Sequence, residues 1–227
     1  TSTERQKVLL EEQFTQYTSL HPKIVAIPVG SLEQLKFPEQ SRKSFSMMTG
    51  SRLAIEKHID WLIEGVALAQ KRFPELTFDI YGEGGERRKL TELLTKLHAG
   101  EFNELKGHKQ LDEIYQNYEL YLTASTSEGF GLTLMEAVGS GLPIIGFDVP
   151  YGNQTFVCSG ENGLLIERPK GDDRSRIVQA FADSIYEYFT KFKMADAQQY
   201  SYNIAENYKH EKLVERWKDF IEEVLND

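Results

Sequence analysis

The stretch SEGFGLTLMEA, residues 127–137, places two carboxylates, Glu128 and Glu136, eight positions apart around a Gly-Phe-Gly turn. A strand-like apolar run at residues 118–124 leads into this stretch, and an apolar helical run follows it at residues 132–138. The pattern therefore predicts a strand, a loop and a helix in that order. It places Glu128 on the loop at the carboxyl end of the strand and Glu136 within the first turns of the helix.

This arrangement of residue types suits a particular kind of ligand. Gly129 and Gly131 let the backbone approach a ligand closely, and the helix that begins at Leu132 directs free N–H groups at the same loop. A helix N-terminus favours a phosphate, whereas carboxylates accept hydrogen bonds from hydroxyl groups. With Glu128 and Glu136 serving two separate sets of hydroxyls, the stretch predicts a nucleotide-sugar site.

The rest of the chain alternates between short apolar strands and amphipathic helices. Strands are predicted at residues 23–27, 45–49, 77–81, 104–106, 118–123, 142–147 and 164–166. Helices are predicted at residues 4–17, 56–72, 86–98, 110–116, 132–138, 177–192 and 213–225. Such alternation indicates an α/β fold, a Rossmann-like parallel sheet with helices on both faces, and we interpret residues 1–227 as one domain.

Composition excludes several classes of function. A net charge of −9 argues against nucleic acid as a partner and against strong contact with an anionic membrane. No apolar run approaches the roughly 18 residues that a membrane span needs. The lone Cys158 has no cysteine to pair with, which fits a reducing, cytoplasmic compartment, and we expect it to be buried and inert. The chain opens at Thr1 without an initiator Met, so we expect a fragment of a longer protein.

Two motifs carry a specific resemblance. Glu128 and Glu136 match the E-x7-E motif of retaining glycosyltransferases of family 4 with the two-domain GT-B fold, and Ser51-Arg52-Leu53 with Lys57 resembles the second signature of that family. Residues 115–156 are also similar to a narrower group, the GtfA subunits of bacterial enzymes that attach N-acetylglucosamine to serine-rich adhesins. The similarity covers nearly the whole chain and implies the C-terminal, donor-binding domain of a GT-B enzyme.

The resemblance implies a role for each matched residue. Arg52 and Lys57 would bind the diphosphate, Glu128 would bind the sugar hydroxyls, and Glu136 would bind the ribose diol. The donor site would also include Gly107 and His108 at the uracil end and Gly129, Phe130, Gly131 and Leu132 along the motif. Arg52, Lys57 and Glu128 would be the catalytic groups.

Further implications concern partners and cofactors. The donor would be UDP-N-acetylglucosamine, the acceptor a serine-rich polypeptide, and a GtfB-like subunit the protein partner. No cofactor is expected, and no Asp-x-Asp motif is present to hold a metal, because the cations would stabilise the leaving group. The N-terminal, acceptor-binding half of such enzymes is absent from the sequence, so this chain is not expected to complete catalysis alone.

The sequence departs from the family pattern at two places. His58 occupies the position after the signature Lys where a Gly is usual, and Pro150-Tyr-Gly-Asn-Gln replaces the common Gly-Gly-x-x-Glu segment. The segment at Tyr151 either lines the site or merely turns the chain. The loop Gly82-Glu83-Gly84-Gly85 predicts a tight strand-to-helix turn near the nucleotide rather than a dinucleotide fingerprint.

Two other functions remain open at this level. One is another family 4 transferase, such as a teichoic-acid glucosyltransferase, which would share the donor motifs and differ in its acceptor half. The other is a non-catalytic partner domain that has kept the fold and lost the chemistry. The intact set of Arg52, Lys57, Glu128 and Glu136 argues against the second, because a scaffold has no physical need of these side chains.

Overall fold

The computed structural model describes residues 1–17, 22–100, 102–169, 171 and 173–226. All of its paired strands belong to one six-stranded parallel sheet in the order β3-β2-β1-β4-β5-β6. The strands are β1 Ser46–Gly50, β2 Thr77–Tyr81, β3 Asn103–Gly107, β4 Leu120–Leu122, β5 Ile144–Phe147 and β6 Gly163–Ile166. The predicted Rossmann-like parallel sheet is confirmed.

Helices cover both faces of this sheet. They are α1 Glu4–Tyr17, α2 Ile59–Gln70, α3 Arg87–Lys96, α4 Leu132–Gly139, α5 Gly152–Phe156, α6 Arg174–Lys191, α7 Met194–Ala205 and α8 His210–Asn226. Consecutive strand residues face opposite sides. Thus Met47 packs with α2, α3 and α6 in one core cluster, whereas Met48 packs with α4 and α5 in the other.

The strand predicted at residues 23–27 is wrong. This segment lies outside the sheet, although Ala26 and Ile27 are buried. Its backbone pairs with the first residue of the chain instead, because the Thr1 amino group donates to the Val25 carbonyl at 2.9 Å and the Ile27 N–H donates to the Thr1 carbonyl at 2.9 Å. The apolar residues of the segment reflect burial and not strand pairing.

Two predicted helices are also shorter or broken. The helix predicted at residues 56–72 is divided at His58 into a 3₁₀ turn, Ile55–Lys57, and α2. The helix predicted at residues 110–116 reduces to a 3₁₀ turn at Tyr115–Asn117. Conversely, α5 and α7 are not among the helices that the sequence predicted.

The strand order locates the functional edge of the sheet. The chain runs outward from β1 in one direction and outward from β4 in the other, so β1 and β4 flank the topological switch point. Ligands of such sheets bind beyond the carboxyl ends of the strands at this point. The loop that follows β1 carries Arg52 and Lys57, and the loop that follows β4 carries Glu128.

Candidate functional site

The structure brings the predicted cation and the first motif carboxylate together. Lys57 Nζ lies 2.8 Å from Glu128 Oε2, and the two side chains are only 18% and 21% exposed. These residues are 71 positions apart in sequence and come from the two loops at the switch point. Because both charges are largely removed from water, their interaction is stronger than that of an exposed ion pair.

Local backbone geometry sets the position of Lys57. Lys57 is the last residue of the 3₁₀ turn Ile55–Lys57. His58 then adopts a left-handed conformation with φ of 45°, and α2 starts there in a new direction. Glycine adopts this conformation at little cost, whereas a residue with a Cβ does so under strain. The His58 ring stacks on Trp61, with centroids 3.6 Å apart, which helps to stabilise the strained residue. The sequence departure at His58 therefore preserves the turn.

Glu128 is held through its backbone as well as its side chain. Its carbonyl accepts hydrogen bonds from the N–H groups of Tyr151 at 2.9 Å and Gly152 at 2.8 Å. A Cβ on Gly152 would lie 2.5 Å from the Phe130 carbonyl oxygen, so only glycine allows this approach. The segment at Tyr151, which the sequence left open between lining the site and turning the chain, supports the loop that carries Glu128.

The Gly-Phe-Gly turn leads directly into α4. Gly131 has a φ of 89°, and the N–H groups of Leu134 and Met135 donate to its carbonyl. The N–H groups before Leu134 therefore belong to the open end of the helix, where an anion is favoured. Phe130 buries its ring against Phe156 and Tyr208. Any contact of Phe130 with a donor thus falls to its backbone.

Gly129, which begins the turn, and Leu132, which follows it, are more exposed than Phe130. No atom lies within 4 Å of the position that a Cβ on Gly129 would occupy, so open space adjoins the backbone there. The Gly129 carbonyl accepts a hydrogen bond from Gln6 of α1 at 3.3 Å. The Leu132 side chain is 48% exposed and packs over Gly30, where a Cβ would come within 2.4 Å of it.

A separate cavity of about 270 Å³ is lined by Arg52 and His108, which were predicted to bind the phosphate and uracil ends of the donor. Arg52 lines it from the loop after β1, and His108 lines it from the loop after β3, directly after Gly107 with its φ of 75°. The Arg52 side chain is 78% exposed and forms an ion pair with Glu56 at 3.4 Å. Thr133, at the start of α4, completes the wall nearest the glycine turn.

The glycine loop after β2 shapes the same cavity. Ser51 N–H donates to the Tyr81 carbonyl, and Leu53 N–H donates to the Glu83 carbonyl at 2.9 Å. Cβ atoms at Gly82 and Gly84 would lie 1.8 Å from the Ser51 carbonyl oxygen and 2.3 Å from that of Leu53. The loop is thus a tight strand-to-helix turn against the Arg52 segment, as predicted.

Glu136 lies apart from the Lys57–Glu128 pair. It borders a second cavity of about 310 Å³, and its Oε2 accepts a hydrogen bond from the buried Tyr115 hydroxyl at 2.9 Å. Burial raises the pKa of the Glu136 carboxyl, the Tyr115 hydrogen bond opposes that rise, and nearby Asp112 adds to it. Sequence reasoning missed Tyr115, because a tyrosine 21 positions from Glu136 carries no signal of this contact.

Other expectations are corrected or bounded by the structure. Cys158, predicted to be buried, is exposed, because it follows α5 in a surface turn and is not packed among core residues. Within the described ranges, no group of three or more His, Cys, Asp or Glu side chains is placed to hold a metal ion. Among those same residues, no helix is long and apolar enough to cross a membrane.

Comparison with known proteins identifies the class to which this fold and edge belong. The family model described as glycosyl transferases group 1 matches residues 32–191, and the chain belongs to that family. The chain is 98% identical, over all 227 of its residues, to the UDP-N-acetylglucosamine–peptide N-acetylglucosaminyltransferase GtfA subunit of Streptococcus parasanguinis. It covers 45% of that protein, so it spans less than half the length of this relative. The predicted resemblance to GtfA subunits is confirmed.

Solved structures extend the comparison to three dimensions. The chain matches the crystal structure of the pneumococcal O-GlcNAc transferase GtfA in complex with UDP and GlcNAc, with a TM-score of 0.94 and 54% identity. It also matches a crystal structure of a GtfA/B complex, with a TM-score of 0.97 and 50% identity. In both cases all of this chain aligns with 45% of the other chain.

A more distant relative bears on the alternative function. The poly(glycerol-phosphate) alpha-glucosyltransferase of Bacillus subtilis is 31% identical over 170 residues, which is 74% of this chain and 24% of that protein. The match is shorter and weaker than the one to GtfA subunits. The teichoic-acid alternative is therefore not favoured.

Proposed function

We propose that this chain is the donor-binding part of an enzyme that transfers N-acetylglucosamine from UDP to Ser or Thr hydroxyls of a serine-rich polypeptide, with retention of the anomeric configuration. The observation that carries the proposal is the Lys57–Glu128 pair, 2.8 Å apart beside the open end of α4 at the switch point of the sheet. The full-chain identity to GtfA subunits supports the choice of donor and acceptor.

The chemistry follows from the charges at this edge. In our proposal the donor sugar lies against Glu128, whose carboxylate accepts hydrogen bonds from sugar hydroxyls. The diphosphate lies between Lys57, Arg52 and the N–H groups at the start of α4. These three groups all stand at the edge of the sheet beyond β1 and β4. As the glycosidic bond breaks, negative charge grows on the diphosphate, and donors already fixed in place stabilise it without rearrangement.

Nucleotide recognition occupies the two cavities away from the pair. His108, which lines the same cavity as Arg52, and the preceding Gly107 would contact the uracil end. Glu136 would accept hydrogen bonds from the ribose diol, for which a carboxylate with two acceptor oxygens is suited. Nothing in this set of roles requires a metal ion, because three positive groups meet the diphosphate. Metal-independent transfer is therefore part of the proposal.

The proposal includes a second subunit and a location. The similarity to a chain of a GtfA/B complex supports a GtfB-like partner. The acceptor site, and any peripheral membrane contact, would lie in parts of the protein outside this chain. A lone cysteine fits the reducing cytoplasm, where we place the enzyme.

The proposal is tested with the full-length protein and its partner subunit. Incubated with UDP-N-acetylglucosamine and a serine-rich polypeptide, they should attach N-acetylglucosamine to Ser or Thr, and UDP-glucose should compete poorly because it lacks the acetamido group. Transfer to a polyol-phosphate polymer but not to the polypeptide would contradict the proposal in favour of the teichoic-acid alternative. Full activity after Lys57→Ala together with Glu128→Gln would instead indicate a scaffold.

A further inference from the structure

We propose that Tyr115 is a positioning residue that holds the Glu136 carboxylate in the orientation needed to bind the ribose of the donor. This inference rests on the proposed function, because it assumes that Glu136 meets the ribose diol. It adds a residue that neither motif contains and that lies outside both signature segments. Four observations lead to it.

The first observation is the hydrogen bond itself. Tyr115 Oη lies 2.9 Å from Glu136 Oε2. An ionised carboxylate has no proton to give, so the tyrosine must donate. Its single proton is then committed to one carboxylate oxygen. Because a carboxylate offers about four lone-pair sites, Oε1 keeps both of its lone pairs and Oε2 keeps one, enough to accept from the two ribose hydroxyls.

The second observation is that the tyrosine is rigidly placed. Its ring is fully buried and packs against Tyr121, with centroids 6.1 Å apart. Its backbone N–H donates to the Leu111 carbonyl at 3.1 Å, and its carbonyl accepts from Tyr118 N–H at 3.1 Å and from the Arg42 guanidinium at 3.4 Å. A hydroxyl held by so many contacts presents its proton in one place.

The third observation is the charge around Glu136. The titratable groups that line the cavity with it are Asp112 from the turn after β3, Tyr115 from the 3₁₀ turn, and Glu33 and Lys36 from the loop before β1. Lys36 is engaged by Glu113 in an ion pair. The Tyr115 hydroxyl is therefore the donor that the structure places on the Glu136 side chain.

The fourth observation concerns the cost of ordering Glu136. A free glutamate side chain has three rotatable bonds, and fixing it costs a substantial part of the free energy gained from one new hydrogen bond. Tyr115 fixes the carboxylate before the donor arrives. It also favours the ionised form, in opposition to burial and to Asp112, which both raise the Glu136 pKa. Without the hydroxyl, donor binding would weaken while the chemical step would not change.

The test compares Tyr115→Phe with Tyr188→Phe in the full-length protein with its partner subunit. Tyr188 is the matched control, since it is also buried and its hydroxyl donates to a backbone carbonyl, that of Glu119 at 3.0 Å, on the other side of the sheet. Both substitutions remove one hydroxyl and keep the ring. We expect Tyr115→Phe to raise KM for UDP-N-acetylglucosamine roughly tenfold, the scale of one hydrogen bond to a charged group, with kcat unchanged. Tyr188→Phe should change neither.

Two further readouts separate positioning from simple destabilisation. A donor analogue with 2′-deoxyribose should bind more weakly than the natural donor to the wild type, and Tyr115→Phe should reduce that difference. This ratio of KM values does not depend on the folded fraction of the variant. In addition, the acid limb of the 1/KM profile should move to higher pH in Tyr115→Phe, because the carboxylate has lost a donor that stabilises its ionised form.

Glu136→Gln distinguishes the failure of this inference from the failure of the proposed function. If Glu136→Gln raises KM and reduces discrimination against the deoxy analogue but Tyr115→Phe does neither, the positioning role is overturned and the ribose role stands. If Glu136→Gln leaves both unchanged, the ribose role itself is wrong. Equal KM shifts in Tyr115→Phe and Tyr188→Phe would also overturn the inference, because they would indicate a general packing effect.

Discussion

The two carboxylates of the E-x7-E motif are held in different ways. Glu128 is paired with a cation, Lys57, at an edge where both side chains are about one-fifth exposed. Glu136 is paired with a neutral hydroxyl, that of Tyr115, and lies near another acid, Asp112. One motif thus places one carboxylate in an ion pair and the other in a neutral hydrogen bond.

In the proposed donor site, this difference implies separate roles for Glu128 and Glu136. In the proposed mechanism, the carboxylate that is ion-paired with Lys57 holds this cation at the edge where the leaving diphosphate would lie. Glu136 has an uncharged partner, and burial raises its pKa. Such a carboxylate is suited to hold a neutral diol, and its binding of the diol should depend on pH. We therefore expect substitutions at the Glu128 end to affect turnover and those at the Glu136 end to affect affinity.

The largest effect is expected for Lys57→Ala in the full-length enzyme. Removal of one preorganised donor from a developing anion costs about 2.7–4 kcal/mol in activation free energy. This corresponds to a fall in kcat on the order of a hundredfold to a thousandfold. Lys71→Ala, an exposed lysine just past the end of α2, is the control and should have no effect. Near-normal turnover of Lys57→Ala in a steady-state assay would remove the cation from the mechanism.

A smaller effect is expected for Arg52→Ala. The Arg52 side chain is exposed and forms an ion pair with Glu56. Solvent therefore screens its charge and weakens its contribution to binding. We expect a loss of roughly tenfold in kcat/KM that becomes smaller as salt is added. Arg88→Ala is a matched control, because Arg88 forms the same i,i+4 pair with Glu92 at 3.5 Å and is similarly exposed. Equal losses in the two variants would contradict a specific role for Arg52.

The affinity for the donor should change a few-fold with pH, and we expect Glu136 to be the group responsible. Burial raises the pKa of Glu136, so the carboxylate becomes protonated at a higher pH than an exposed glutamate would. Donor affinity should therefore be full above that pKa and should fall as the pH drops through it. Titration of UDP against the full-length protein measures this fall, and Glu136→Gln should abolish it. A fall that persists in Glu136→Gln would assign the titration to another group.

No effect at all is expected from metal removal. In the proposed mechanism, Lys57, Arg52 and the N–H groups at the start of α4 would stabilise the leaving diphosphate, so no divalent cation is needed. Transfer in excess chelator should equal transfer with added magnesium or manganese. A strict metal requirement would show that the leaving group is stabilised in another way.

Much of the fold was predictable because apolar runs in this chain are short and clearly bounded. The strand at Thr77–Tyr81 and the helix at Glu4–Tyr17 have the predicted bounds. The segment at residues 23–27 was mispredicted because the burial of Ala26 and Ile27 produces the same apolar pattern as a strand. Local sequence does not distinguish these two causes.

The candidate site was predictable in its members and less so in its contacts. Sheet topology brings the loops of Lys57 and Glu128 to one edge, and both residues lie in recognisable motifs. The contact between Tyr115 and Glu136 depends instead on where a single 3₁₀ turn packs beneath α4. The left-handed backbone of His58 likewise has no signal in the sequence except that glycine is usual at this position of the family.

The decisive experiment on the two motif carboxylates compares Glu128→Gln with Glu136→Gln in the full-length enzyme with its partner subunit. Both variants replace a carboxylate by an amide of the same shape, and steady-state kinetics with varied UDP-N-acetylglucosamine separates turnover from affinity. We expect Glu128→Gln to lower kcat on the order of a hundredfold with little change in KM. Glu136→Gln should instead raise KM roughly tenfold with little change in kcat. The same change in the same constant for both variants would contradict the division of the donor site into a reacting end and a recognition end.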